Sequence, residues 1–355
     1  MSAKKIILTG GGTAGHVTPN IALVPYLKKE GFEIGYIGSY NYIESKLIPE
    51  LGIPYKGIAC GMFRRYKTIK NLTDPFKVIK GIFEASGFIR KFKPNVIFSK
   101  GGFVGVPVTI AAFLHHVPVI LHESDMSPGL ANKLSLPFAK KICCNFPETV
   151  GFLPKKKAVL TGSPIRDELL KGNPNEGRAM CGFNPYKPVI LVIGGSLGAS
   201  SVNQAVRDAL PTLLNDFQIV HICGKDKLDP SLESTEGYKQ FEYVNEGLNN
   251  LFALADLCIS RAGANSICEI LSLKKPNLLI PLSKASRGDQ LLNASSFESQ
   301  GYSMVLRDED CNAENLIEKV TELYFLRQTY IDAMSKSTQT NSIKTIIDII
   351  CKYAV

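Results

Sequence analysis

The chain has 355 residues, more than the roughly 250–300 that one hydrophobic core supports, so two domains are predicted. Hydrophobic residues make up 45% and charged residues 21%, an ordinary globular composition that excludes a disordered or low-complexity protein. The nine cysteines lack metal-binding spacing, and no apolar run approaches the ~20 residues of a spanning helix or has the form of a signal peptide. We therefore expect a cytoplasmic α/β protein without a bound metal.

The formal net charge of +9 is unevenly distributed. Residues 1–160 hold 22 Lys and Arg against 9 Asp and Glu, and the remainder holds 19 against 23. A basic first half could bind anionic lipid or nucleic acid, or it could serve only to keep the protein soluble. Because no nucleic-acid-binding motif accompanies the charge, no nucleic-acid partner is expected.

The first element is an apolar strand over 6–9, followed by a glycine turn over 10–15 and a helix predicted to begin near Pro19. Glycines and a helix N-terminus in this order are typical of a phosphate-binding loop. His16 lies at the mouth of that loop. Further apolar strands are predicted near 33–38, 95–99 and 117–121, and Pro25 is expected to kink or shorten the first helix.

The spacing Gly10-x-Gly12-x-x-Gly15 also matches a nicotinamide dinucleotide site. Such a site needs an acidic residue at the end of the second strand to hold the ribose. Glu33 comes too early and Glu44 too late for that position. The sequence therefore disfavours a dehydrogenase.

Residues 61–100 combine ten Lys and Arg with apolar side chains. A helix is predicted to begin at Asp74-Pro75, with one apolar stripe facing the core and a second beside two lysines. The second stripe and the preceding loop predict a patch for anionic lipid, although buried core remains the alternative. The residues of this patch are Met62, Phe63, Phe76, Ile79, Lys80 and Phe83.

A second strand, glycine turn and helix occur over 188–213, followed by another apolar strand over 218–223. The duplication predicts two βαβ domains. We place the first at 1–161, with Thr161–Pro164 as the linker, and the second at 162–335. A C-terminal helix over 343–353 is long enough to fold back on the first domain.

Several motifs in one order resemble the MurG family of bacterial glycosyltransferases. They are Gly11–Pro19, Ser99–Pro107, His122–Asp125, Gly162–Arg166, Gly194–Ala199 and Arg261–Glu269. The resemblance implies a GT-B fold, in which two Rossmann-like parallel-sheet domains are separated by a cleft. Two departures from the family pattern are Ala14, where glycine is usual, and Asp125, where asparagine is common.

The resemblance implies transfer of N-acetylglucosamine from UDP-N-acetylglucosamine, with inversion, to the muramyl 4-hydroxyl of lipid I, giving lipid II for peptidoglycan. His16 is the candidate base, with acceptor binding as its alternative role. The other acceptor-binding residues implied are Gly12, Gly101 and Gly102. The donor-binding residues implied are Thr13, Ala14, Gly15, Asp125, Arg166, Ser196, Leu197, Gly198, Val244, Ala264, Asn265, Glu269 and Gln290.

No tightly bound cofactor is expected, although a divalent cation could assist the departing diphosphate loosely. The expected location is the cytoplasmic face of the cell membrane, on anionic lipid, where other cell-wall synthesis proteins are further candidate partners. Two alternatives stay open. One is another GT-B transferase or a UDP-sugar epimerase, and the other is a non-catalytic protein that binds nucleotide sugars.

Overall fold

The computed structural model describes residues 4–61, 70–195, 198–244, 246–282 and 288–354, without the side chains of 70–73, 340 and 341. It divides into two compact units. The first comprises Met1–Arg166 and Asn341–Val355, and the second comprises Asp167–Thr340. The sequence places both boundaries five residues earlier, at 161 and 335.

The first unit contains a seven-stranded parallel sheet in the order β3-β2-β1-β4-β5-β6-β7. Its strands are β1 Lys4–Thr9, β2 Phe32–Ser39, β3 Tyr55–Ile58, β4 Val96–Ser99, β5 Val119–Glu123, β6 Lys141–Cys144 and β7 Ala158–Leu160. Its helices are α1 Ala14–Lys29, α2 Glu44–Glu50, α3 Lys70–Phe92, α4 Gly105–Leu114, α5 Leu130–Ser135, α6 Pro147–Gly151 and, from the C-terminus, α14 Ser342–Tyr353. The four strands predicted in this half are thereby confirmed.

Helices cover both faces of this sheet because neighbouring residues of a strand point to opposite sides. Ile6 and Leu8 of β1 pack in one core with α1 and α14, where Ile346 and Ile350 are fully buried. Ile7, between them, packs in the other core with α3 and α4. The C-terminal helix thus completes the first unit.

The second unit contains a six-stranded parallel sheet in the order β10-β9-β8-β11-β12-β13. Its strands are β8 Val189–Ile193, β9 Gln218–Ile222, β10 Tyr238–Phe241, β11 Leu257–Ser260, β12 Asn277–Leu279 and β13 Met304–Val305. Its helices are α7 Pro174–Cys181, α8 Ser200–Leu213, α9 Leu248–Leu254, α10 Ala264–Leu273, α11 Asp289–Ser299, α12 Ala313–Phe325 and α13 Arg327–Ser335. In both sheets the order in which strands are added reverses beside the first strand, between β1 and β4 and between β8 and β11, as in doubly wound nucleotide-binding folds.

Two helix starts differ from the sequence prediction. Helix α1 begins at Ala14 rather than near Pro19 and continues through Pro25. Helix α3 begins at Lys70 rather than at Asp74-Pro75. A proline within a helix removes a backbone hydrogen bond, at a cost of about 3 kcal/mol. In α1 the burial of Val17, Leu23 and Leu27 offsets that cost, because tertiary packing provides most helix stability in proteins.

Within the described residues, no helix is both long enough and apolar enough to cross a membrane. Over the same part of the chain, no group of three or more His, Cys, Asp or Glu side chains is placed to hold a metal ion.

Candidate functional site

The first glycine loop connects β1 to α1 and rests on a buried carboxylate. Gly12 has a φ of +90°, a conformation that favours glycine, and its N–H donates to Oε2 of Glu44 at 3.1 Å. Glu44 is fully buried and also accepts from the backbone N–H of Ser39 at 3.1 Å. The Gly12 N–H is therefore already engaged. The free N–H groups of the predicted phosphate-binding loop therefore do not include that of Gly12.

A second glycine loop of the first unit, Gly101–Phe103 after β4, packs directly on the first. A Cβ added at Gly102 would lie 2.9 Å from the carbonyl oxygen of Gly11 and 3.6 Å from Nδ1 of His16. A Cβ added at Gly12 would lie 2.5 Å from Cε1 of Phe103. The contacts of 2.9 Å and 2.5 Å, together with the positive φ of both residues, favour glycine at each position. The structure thus brings the predicted acceptor residues Gly12, His16 and Gly102, with the adjacent Gly101, to one edge of the first sheet.

His16 lies in the first turn of α1, half-buried. Its Nδ1 is 3.0 Å from Oγ1 of Thr13, and its backbone N–H donates to the carbonyl of Thr13 at 3.1 Å. Burial, and secondarily the positive charge of Lys100, lower the pKa of His16 to about 4. The imidazole is consequently neutral at physiological pH, which is the protonation state of a general base.

Thr13 precedes α1 and is exposed, whereas Ala14 begins the helix and Gly15 follows it. A helical residue has a negative φ, so the methyl group of Ala14 fits where the family usually has glycine. Alanine is also the residue with the highest helix propensity. This departure from the family pattern therefore leaves the loop intact.

Sequence reasoning missed a buried lysine beneath these loops. The Nζ of Lys100 lies 3.0 Å from Nδ1 of His122 and also donates to the hydroxyl of Ser124. The Nε2 of His122 is 3.0 Å from the carbonyl of Gly162, to which it donates. Burial lowers the pKa of His122 well below its usual value, so Nδ1 is free of a proton and accepts from Lys100. The position of Lys100 next to a glycine pair was the available signal.

Glu123 and Asp125 follow β5. The Glu123 carboxylate accepts from the backbone N–H of Gly129 at 2.8 Å and of Asp125 at 3.1 Å, and from Nδ2 of Asn132 at 2.9 Å. Burial raises the pKa of Glu123. The turn that carries Asp125 is therefore fixed by a buried neighbour, and Asp125 itself is half-buried.

In the second unit, the loop after β8 precedes α8 and packs on the end of β9. Gly198 has a φ of +65°, and an added Cβ would overlap the carbonyl of Cys223. Only glycine therefore fits there. The predicted diphosphate contacts Ser196 and Leu197 lie outside the described residues.

A charged cluster that the sequence analysis did not assign lies at the start of α8. The guanidinium of Arg261 donates to the carboxylate of Asp308 at 2.7 Å and to the hydroxyl of Ser201 at 2.9 Å. The Ser201 hydroxyl in turn donates to Asp308 at 2.8 Å. Arg261 also donates to the carbonyl of Ile280 at 3.0 Å. These bonds link the first turn of α8 to the ends of β11 and β12.

Most remaining donor candidates lie at the same edge of the second sheet. Ala264, Asn265 and Glu269 belong to α10, which follows β11, and Glu269 is half-buried. The Oε1 of Gln290 accepts from the backbone N–H of Leu282 at 3.0 Å, which fixes the orientation of its side-chain amide. Val244, in the segment after β10, is 9% exposed. Arg166 is exposed and ends the first unit, rather than lying in the second as predicted.

The chain matches known proteins along almost its whole length. The profile of the Glycosyltransferase family 28 N-terminal domain matches residues 6–144, and that of the C-terminal domain matches residues 189–350. A relative from Lachnospira eligens is 61% identical over 348 residues, 98% of each chain. One from Clostridium botulinum (strain Kyoto / Type A2) is 58% identical over 351 residues, 99% of each. Both are named UDP-N-acetylglucosamine--N-acetylmuramyl-(pentapeptide) pyrophosphoryl-undecaprenol N-acetylglucosamine transferase.

The chain belongs to the MurG family of glycosyltransferases. The crystal structure of Acinetobacter baumannii MurG is similar with a TM-score of 0.78 and 27% identity, covering 98% of this chain and 99% of that one. A putative UDP-N-acetylglucosamine 2-epimerase from Listeria monocytogenes has a TM-score of 0.71 at 14% identity, which shows the fold alone. MurG membership confirms the predicted GT-B class. It also confirms the prediction of a glycosyltransferase, in preference to the epimerase and the non-catalytic binding protein.

This MurG-family chain exposes apolar side chains on α3. Phe76 is 73% exposed, Ile79 51% and Phe83 73%, and exposed Lys80 lies 3.8 Å from Glu84. Ala85 and Ile89, on the opposite side of the helix, are buried in the core. The second stripe of the predicted lipid patch is therefore on the surface. Met62 and Phe63, from the same prediction, lie outside the described residues.

Proposed function

We propose that the chain transfers N-acetylglucosamine from UDP-N-acetylglucosamine to the 4-hydroxyl of the muramyl sugar of lipid I, with inversion, giving lipid II. Similarity at 58–61% identity over full length to transferases named for this donor and acceptor carries the proposal. The neutral imidazole of His16 between two glycine loops supports it chemically.

In the proposed mechanism, the first unit activates the acceptor. In the proposed tautomer of His16 the proton is on Nδ1, and this N–H donates a hydrogen bond to the hydroxyl of Thr13. The lone pair on Nε2 then accepts the proton of the 4-hydroxyl. The hydroxyl oxygen then bonds to the anomeric carbon as the bond from that carbon to the diphosphate breaks. UDP leaves with the electron pair, and attack on the α-linked donor gives a β-linked product.

In the same proposal, the second unit holds the donor. The N-terminus of α8 faces the diphosphate, because helix N-termini favour anions. The Arg261–Asp308–Ser201 bonds fix that end of the helix. Glu269 accepts hydrogen bonds from the ribose hydroxyls, and the amide nitrogen of Gln290 donates to the acetylated sugar. Arg166, the last residue of the first unit before the second begins, is the proposed cation for uridine or phosphate.

The proposal includes peripheral binding to anionic lipid on the cytoplasmic face of the membrane. Phe76, Ile79 and Phe83 are exposed beside Lys77 and Lys80. Each basic residue near an anionic bilayer contributes about 1 kcal/mol, and apolar side chains enter the headgroup boundary. Such binding would place the enzyme where its lipid-linked acceptor is found, alongside other cell-wall synthesis proteins.

The deciding experiment incubates the purified protein with UDP-N-acetylglucosamine labelled in the sugar, with and without lipid I. The proposal predicts label in the lipid fraction only when lipid I is present. A labelled sugar isomer formed without lipid I would indicate an epimerase. UDP binding without any turnover would indicate a non-catalytic protein. Transfer to another acceptor, but not to lipid I, would refute the proposed acceptor.

A further inference from the structure

Glu44 is a buried carboxylate that joins two separate elements of the first unit. It is fully buried at the start of α2. Oε1 accepts from the backbone N–H of Ser39 at 3.1 Å and from its hydroxyl at 2.5 Å, at the end of β2. Oε2 accepts from the N–H of Gly12 at 3.1 Å, in the first glycine loop. Each carboxylate oxygen therefore has a donor, which a buried charge requires.

The glycine loop lies in contact with this carboxylate. A Cβ added at Gly11 would overlap the Glu44 carboxyl group. Gly11 has no positive φ, so this close approach, rather than backbone conformation, is what requires glycine there. The loop is thus fixed by a hydrogen bond at Gly12 and by steric contact at Gly11.

The fixed loop continues directly into the residues that orient the imidazole. Thr13 follows Gly12 and contacts His16 through its carbonyl at 3.1 Å and its hydroxyl at 3.0 Å. On the other side, Gly102 packs on Gly11 and on the His16 ring. A shift of the loop at Gly12 would therefore move Thr13 and, with it, His16.

We propose that Glu44 is a positioning residue that sets the place of the His16 imidazole by fixing the first glycine loop. This inference rests on the proposed function of His16. The negative charge beneath Gly12 also disfavours an acceptor phosphate at that N–H, because like charges repel. The Gly12 N–H then serves to support His16 rather than to bind an anion.

The test is Glu44→Gln, which keeps the size of the side chain but puts an amide N–H₂ where one of the donors needs an acceptor. The expected result is a fall in kcat of about tenfold or more, since a displacement of about 1 Å can cost 10²-fold. The KM for UDP-N-acetylglucosamine should change less than kcat does, because most of the implied donor residues lie outside this loop and the first turn of α1. The matched control is Glu50→Gln, at the exposed end of the same helix, which should leave kcat unchanged.

A second readout does not depend on activity. In the wild-type protein, NMR of the histidine side chains should show that His16 does not titrate above pH 5. In Glu44→Gln, a displaced imidazole should gain solvent and titrate nearer its usual pKa of about 6.5. If wild type transfers no sugar, the proposed function fails while this titration still tests the position of His16. Unchanged His16 titration in a folded Glu44→Gln protein would overturn the positioning role.

A double-mutant cycle separates this contact from general damage. Gly11→Ala should lower kcat because its methyl group would displace the carboxylate. In Glu44→Ala the space is vacated, so adding Gly11→Ala should cost much less than it does in wild type. If Glu44→Gln proves too unstable to assay, Ser39→Ala removes one donor and should lower kcat in the same direction. Additive effects in the cycle would contradict the proposal.

Discussion

The hydroxyl of Thr13 lies 3.0 Å from Nδ1 of His16, within the first turn of α1. This contact orients the ring, and with the proton on Nδ1 it leaves Nε2 as the basic nitrogen. The pair is built from local sequence, three residues apart. Its value as a proton acceptor depends on the rest of the unit, because burial and Lys100 decide the charge of the ring.

His16→Ala should lower kcat by about 100-fold or more while leaving UDP affinity within about twofold. The reason is that general-base catalysis contributes about 10²–10⁴-fold, whereas the residues proposed to hold the UDP group, such as Glu269 and Arg166, lie on other elements. Steady-state kinetics and calorimetry with UDP measure the two effects. Thr13→Val is the matched control and should have a smaller effect. A raised KM for lipid I at near-normal kcat would instead make His16 an acceptor ligand.

The pH dependence should lack an acidic limb near 6.5. The pKa of His16 is lowered to about 4, so the neutral base predominates at any pH above that value. Loss of activity from protonation of His16 is therefore expected only as the pH falls below about 5. We therefore expect protonation of His16 to cause no change in kcat/KM between pH 5.5 and about 7.5. An acidic limb near 6.5 that disappears in His16→Ala would contradict the lowered pKa of His16.

The features of the fold that depend on local sequence patterns were predicted from the sequence. Apolar runs and glycine turns located β1, β2, β4 and β5 and the duplication of the βαβ unit, because these are local signals. Glycine at 102 and 198 could be tied to loops, but the atoms that require it, the carbonyls of Gly11 and Cys223, come from other elements. Such contacts exist only after folding.

The residues that sequence reasoning missed are those whose function depends on distant partners. Glu44 was excluded as a ribose ligand because it comes too late after β2, and the same lateness lets α2 bring it under Gly12. Lys100 meets His122 only because β4 and β5 are neighbours. The predicted helix starts near Pro19 and at Asp74-Pro75 were wrong, because proline favours the first turn of a helix but here lies inside helices that begin earlier.

Stability should fall as the solution becomes acidic, partly through His221. This ring is buried between Tyr238 and Asn203, and burial lowers its pKa to about 3. The unfolded chain binds the proton near pH 6.5 and the folded chain does not. Stability is therefore lost as pH falls from about 6.5 towards 3, at up to ~1.4 kcal/mol per pH unit for this one proton.

The check is chemical denaturation from pH 7 to pH 4.5. His221→Gln should lower the free energy of unfolding at pH 7. It should also make that free energy less dependent on pH, by up to the ~1.4 kcal/mol per pH unit that one proton contributes. His116→Asn is the control, because His116 is exposed and has a φ of +57°, which asparagine tolerates. An unchanged slope in His221→Gln would show that the ring already binds its proton in the folded protein.

Glu269→Ala should raise the KM for UDP-N-acetylglucosamine by about tenfold, with a smaller change in kcat. A carboxylate that accepts from two ribose hydroxyls contributes about 1.5–3 kcal/mol through hydrogen bonds to a charged group. Initial-rate kinetics at varied donor concentration measure this. Glu298→Gln, exposed on α11, is the control with the same loss of charge. A donor KM equal to wild type would remove Glu269 from the donor site.

Membrane binding should depend on the exposed stripe of α3. Phe76 and Ile79 are 73% and 51% exposed, so replacing both by serine should leave the core intact while removing apolar area from the lipid contact. Adding Lys80→Glu reverses one charge, about 2 kcal/mol at an anionic surface if each unit of charge contributes about 1 kcal/mol. Together these changes should weaken binding to anionic vesicles by at least about tenfold, measured by co-sedimentation.

The matched control for that experiment is Phe325→Ser on α12 of the second unit, because Phe325 is 84% exposed but has no assigned lipid contact. Wild type and this control should bind more as the anionic lipid fraction rises and less as salt rises, since the Debye length shortens from about 10 Å at 0.1 M to 3 Å at 1 M. Activity on a water-soluble acceptor should be equal in all variants. If the α3 variant binds vesicles as wild type does, or if wild type binds neutral vesicles equally well, the basic apolar face of α3 is not the membrane contact.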